Sequence, residues 1–71
     1  MDKKYYLFSI DGKDGYSFIV HSNAKDEEEA IDQAYYNSLF HDDEDARYCN
    51  CEEARQYDID RFNKFGAIIE L

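Results

Sequence analysis

Two short segments, residues 4–10 and 16–21, are rich in the aromatic and β-branched residues that favour strands. Between them, Asp11-Gly12-Lys13-Asp14-Gly15 offers two glycines able to take positive φ and aspartates able to close Asx-turns. The combination predicts a β-hairpin. Pairing Ile10 with Tyr16 sets Phe8 against Phe18 and Tyr6 against Val20, all on one face. Tyr5, Leu7, Ile19 and His21 share the other face, with Ser9 opposite Ser17. Neither face is polar throughout. One must cover a core, and the other is covered by later chain or left to bind something.

The chain has 71 residues, which reads as one domain over 1–71. A chain this short buries only about 60% of its unfolded surface. Leu, Ile, Val and Phe make up roughly 21% of it, close to the level at which a highly charged chain stays disordered. Seven Tyr and five Phe tip the balance toward folding. Each ring buries roughly 150–250 Å².

Asp26-Glu27-Glu28-Glu29 fits a capping box, with Asp26 as the cap and Glu29 at the third helical position. Downstream, Ala30, Ile31, Ala34, Tyr35, Ser38 and Leu39 follow the spacing of one buried helical stripe. A helix is expected over about 27–40, packed on the Phe8/Phe18 face. The acidic turn His41–Asp45 follows. Residues 48–51 read either as a short extended piece or as the start of a helix over 51–65 capped by Asn50. That helix would gather Ala54, Tyr57, Phe62 and Phe65 on one side, with a break near Asp58. Gly66 suits a C-cap, and residues 67–71 read as a closing strand with Ile69 and Leu71 on one face. The expected fold class is α+β: a two-layer ββααβ, with the hairpin and the C-terminal strand in one small sheet and helices packed on one face.

The formal net charge is −9, from 17 Asp and Glu against 8 Lys and Arg. That sign excludes a generic nucleic-acid binder. Its placement is more informative. Nine of the acids fall between Asp26 and Ala46, where there is no Lys or Arg. The rest of the chain holds eight acidic and eight basic residues and is neutral. The ordinary reading of such a run is a solvated face. The sharper reading is an electrostatic docking surface for a basic partner. Its candidate partner-binding residues are Glu28, Glu29 and Asp32 on the helix, Asp42, Asp43, Glu44 and Asp45 in the turn, and two rings among them. Those rings, Tyr36 and Phe40, lie off the buried stripe, and a ring flanked by carboxylates is a reasonable anchor against Lys and Arg.

Other chemistry is weaker. His41, Cys49 and Cys51 with Asp43 or Asp45 offer zinc-binding types, but a Cys-x-x-Cys pair is absent. A calcium loop starting at Asp43 would meet Arg47, Tyr48 and Ala54 where oxygen ligands or glycine are required. Neither His21 nor His41 sits in a recognisable nucleophile motif, and a glycine-rich phosphate loop is missing. No enzyme, metal or cofactor is expected. Stacking of single-stranded nucleic acid on the hairpin rings would need more cations than residues 1–25 supply. The N-terminal segment is too short in apolar residues for a secretory leader, and the two cysteines are too close for an ordinary disulfide. A cytoplasmic location follows.

In charge organisation, though not in motif, the chain is similar to small acidic phage and mobile-element proteins that occupy nucleic-acid sites on host defence enzymes. The expected function is a non-enzymatic inhibitor of the DNA-mimic kind, anti-CRISPR or anti-restriction, binding the basic cleft of a nucleic-acid-binding protein and not nucleic acid or membrane. The alternative is a regulatory or assembly module that forms a homodimer through Tyr5, Leu7 and Ile19, its acid serving solubility alone.

Overall fold

The computed structural model describes residues 2–13 and 15–71. The fold is a small α+β one: a four-stranded mixed sheet with three helices, in the chain order β1 (Lys4–Ile10), β2 (Tyr16–Ser22), α1 (Glu27–Tyr36), α2 (Asp45–Tyr48), β3 (Asn50–Glu53), α3 (Gln56–Lys64) and β4 (Ile68–Glu70). The sheet order is β3-β1-β2-β4. The hairpin is antiparallel in the expected register, with Tyr6 opposite Val20, Phe8 opposite Phe18 and Ile10 opposite Tyr16. Gly12 has φ 133°, and a Cβ on Gly15 would stand 2.9 Å from the Ile10 carbonyl oxygen, so both turn glycines answer a backbone need. The expected Asx-turn at Asp14 lies outside the described residues.

The even-numbered face carries the core. Tyr6, Phe8, Ile10, Phe18 and Val20 are buried there beneath Ala30 and Ala34 of α1. The Phe8 and Phe18 rings stack at 4.9 Å, and Phe40 meets both edge-on at 5.8 Å. Each such aromatic pair adds about 0.5–1.5 kcal/mol beyond area burial. The buried Tyr6 hydroxyl donates to the Ala24 carbonyl at 2.7 Å, so its polar end is satisfied. Ile19, on the odd face, is fully buried although it stands outside this cluster. Helix α3 packs against β2 and β4.

Three expectations about element boundaries need correction. Helix α1 stops at Tyr36 rather than near residue 40. Ser38 takes φ 56°, the Ser38 N–H donates to the Tyr35 carbonyl, and the Leu39 N–H donates to the Ala34 carbonyl. These bonds form a Schellman motif with serine at the left-handed position. Tyr35, expected in the buried stripe, is 45% exposed. Helix α3 ends in the same motif, with Gly66 at φ 65° and bonds from Gly66 to Asn63 and from Ala67 to Phe62.

The helix expected over 51–65 is also revised. Residues 50–53 instead pair with β1, Cys51 opposite Phe8 and Glu53 opposite Tyr6, and α3 starts only at Gln56. The extended reading of the Cys-x-Cys segment wins because the β1 edge offers a full hydrogen-bonding partner that an isolated helix start does not. Tyr57 and Phe65 are exposed rather than gathered on a buried side, and Asp58 is buried within α3 rather than breaking it.

Candidate functional site

Helix α1 is fixed at its start by Asp26, whose carboxylate accepts from the Glu29 N–H at 2.9 Å. Ala30 and Ala34 seat it on the sheet. The opposite side presents Glu28, Asp32, Tyr35 and Tyr36 at i, i+4, i+7 and i+8, so these four share one outward face. Glu28 and Asp32 are exposed and Glu29 is half-buried beside them. Tyr36 is 81% exposed, and its ring meets that of Tyr35 edge-on at 5.7 Å.

The acidic turn is compact. Asp42 accepts from the Glu44 N–H at 2.9 Å through its carboxylate and from the Asp45 N–H at 3.0 Å through its carbonyl. Asp42, Asp43 and Glu44 are exposed. Asp43 and Glu44 share a shallow open groove with Tyr35, Ala46 and Arg47. Tertiary structure therefore joins the end of α1 to the turn, with Tyr35 at the seam. Arg47 places a cation on that rim, one residue beyond the acidic window.

Two candidate residues are not available as expected. Phe40 is buried against Phe8 and Phe18, because the Schellman turn at Ser38 redirects the chain onto the core. It is a core residue and not a partner anchor. Asp45 is half-buried and accepts a 2.6 Å hydrogen bond from the Tyr16 hydroxyl. The same hydroxyl accepts from the His41 N–H at 2.9 Å, and the His41 ring stacks on Tyr16 at 3.7 Å. Asp45 therefore ties the turn to the hairpin.

Among the described residues, none of the acids between Asp26 and Ala46 is in an ion pair. The pairs found there join Lys3 and His21 to Glu70, Lys4 to Glu53, and Arg61 to Asp58. Lys3, Lys4 and Arg61 thus neutralise acids outside the window. The field of the window is left uncompensated and extends into solvent over roughly a Debye length, about 8 Å at physiological salt.

Cys49 and Cys51 are free thiols. Burial pushes Cys51 up to about 12, with Cys49, Glu27 and Glu52 adding to the effect; burial also raises Cys49. Such thiols stay protonated at neutral pH and are poor nucleophiles. No group of three or more His, Cys, Asp or Glu side chains placed to hold a metal ion occurs among the described residues. No helix there is long and apolar enough to cross a membrane. On the face expected to form a dimer, Tyr5 and Leu7 are half-buried. Ile19 is fully buried, and Tyr5 is stacked on His21 at 4.0 Å.

Tyr35 is the surface residue that sequence periodicity missed. Placed in the buried stripe by its spacing from Ile31, it stands instead at the margin of that stripe, seven residues from the exposed Glu28 and on the same outward face. Serine at the left-handed position gave no sequence signal of the end of α1, whereas glycine would have. No protein-family model matches the chain, and neither a curated protein nor a solved structure matches it.

Proposed function

We propose that this protein is a non-enzymatic binding protein that docks the outward face of α1 and the 42–44 turn into a basic, nucleic-acid-binding cleft of a partner. The observation that carries this reading is the unpaired state of the window's acids around two exposed tyrosines. Glu28, Asp32, Asp43 and Glu44 present spaced negative charge, as a nucleic-acid backbone does. Tyr35 and Tyr36 add rings that hold cationic side chains by stacking and by cation–π attraction, worth about 0.5–2 kcal/mol each. Such a surface steers association with a cationic partner and suppresses like-charged ones. An inhibitor of the counter-defence type, anti-restriction or anti-CRISPR, acting in the cytoplasm, is the role this chemistry suits best.

The test is capture of partners from a host lysate at low and high salt, with identification by mass. The wild-type protein should retain a nucleic-acid-binding protein at low salt and release it at high salt. The quadruple variant Glu28→Lys, Asp32→Lys, Asp43→Lys, Glu44→Lys should retain none while keeping its circular dichroism. Equal retention by the variant would overturn the reading. Asp45 is left out of the set because of its bond to Tyr16.

A further inference from the structure

The two edges of the sheet differ. At the β3 edge, Glu52 and Glu53 are both exposed, and charge on an edge strand discourages pairing with another chain. The β4 edge is less guarded, with one carboxylate where β3 has two. Its one charged residue, Glu70, is held by His21 at 2.8 Å and by Lys3 at 3.8 Å. Ile68 and Ile69 are half-exposed, and Phe65, 81% exposed, lies just before the strand.

The register settles which backbone groups face outward. β4 runs parallel to β2, with Ile68 beside Ile19, Ile69 beside Val20 and Glu70 beside His21. The Leu71 N–H donates to the His21 carbonyl at 3.0 Å, so Leu71 points its N–H inward. Alternation along the strand turns the backbone of Ile69 inward and that of Ile68 and Glu70 outward. Four polar groups are thereby offered along an edge with no strand beyond it among the described residues.

We propose that β4 pairs antiparallel with β4 of a second copy of this chain, about a two-fold axis through Ile69. The strand is self-complementary in that register. Ile68 of each copy lies opposite Glu70 of the other, and such directly opposed residues exchange both N–H···O bonds. All four outward groups of each copy are then satisfied. Ile69, which faces the core side, meets its own counterpart at the axis and becomes more deeply buried. The two sheets join into one, which is an isologous contact that closes on itself. The acids do not oppose it, because α1 packs toward β3 and β2 rather than β4. Each dimer presents two acidic faces, although the pairing does not depend on what those faces bind.

Sedimentation equilibrium from low micromolar to millimolar protein tests the pairing, together with amide hydrogen exchange read by NMR over the same range. The mass should rise toward twice the monomer, with little response to salt, and the Ile68 and Glu70 amides should slow at least tenfold. Ile68→Pro removes an N–H that points away from β2, and proline is tolerated at the first position of an edge strand. That variant should remain monomeric. A monomeric mass throughout would overturn the proposal, as would a dimer whose Ile68 and Glu70 amides exchange at the monomer rate. Concentration-dependent exchange in the wild-type protein decides the matter even if the proline variant fails to fold.

Discussion

The Tyr16 hydroxyl donates a 2.6 Å hydrogen bond to the Asp45 carboxylate and accepts one from the His41 backbone N–H at 2.9 Å. One phenol at the start of β2 therefore anchors both ends of the acidic turn. Burial first, and then the bond to Asp45, raises the Tyr16 pKa, so the hydroxyl stays a donor well into the alkaline range. Tyr16→Phe keeps the ring stack but removes both bonds. We expect a loss of about 1–3 kcal/mol, since a hydrogen bond to a charged group is removed and its partners are left without one. Urea denaturation measures this, and an unchanged midpoint would show that the clamp adds no stability.

The two Schellman motifs give a matched pair of substitutions. Ser38 holds φ 56° where glycine is favoured, and Gly66 holds φ 65° with nothing within 4 Å of the point a Cβ would occupy. Ser38→Gly should stabilise by up to about 1 kcal/mol, because a left-handed non-glycine residue costs about 1–2 kcal/mol and glycine's greater unfolded entropy offsets part of that. Gly66→Ala should destabilise by about 1 kcal/mol by the same reasoning, since the space is free and the cost is conformational. Thermal melts of both variants should move in opposite directions.

Phe40 and Tyr36 are aromatic neighbours in sequence with opposite fates. Phe40→Ala opens a cavity beside the stacked Phe8 and Phe18 rings and should cost about 3–5 kcal/mol, enough to unfold much of so small a domain. Tyr36→Ala should change stability by no more than about 0.5 kcal/mol, as surface substitutions usually do. Its effect should appear instead in partner retention. Circular dichroism separates the two outcomes: an unfolded Tyr36→Ala variant, or a fully stable Phe40→Ala variant, would contradict the packing described.

Stability should fall in alkaline solution. Cys51 ordinarily titrates near 9.0 and burial pushes it up to about 12, while burial also raises Tyr6 above its ordinary 10.0. The unfolded chain ionises these groups first, so it binds fewer protons than the folded one as the pH rises past 9. Their contribution is therefore full below pH 9 and is lost progressively toward pH 12. Cys51→Ala should flatten the early part of that decline. Urea midpoints measured at pH 8, 9 and 10 provide the check, and an equal slope in both proteins would assign the decline to other groups.

Much of this architecture was legible in the residues. The Asp-Gly-Lys-Asp-Gly turn and its flanking aromatics determined the hairpin and its register, because a one-residue slip would move every core ring to the wrong face. Asp26 three residues before Glu29 located the start of α1, and Gly66 located the end of α3. The confinement of the net charge to residues 26–46 needed no structure at all. What the residues did not reveal lies where local preference is weak and a distant partner decides. Residues 50–53 are strand because β1 offers an open edge, and Ser38 turns left-handed because the chain must deliver Phe40 to Phe8 and Phe18. Only tertiary structure moved Phe40 inward, set Tyr35 outward beside Asp43 and Glu44, committed Asp45 to Tyr16, and buried Ile19. The physical reason is common to all four. Periodicity and capping are local quantities, while burial is settled by where the whole chain closes over its few large rings.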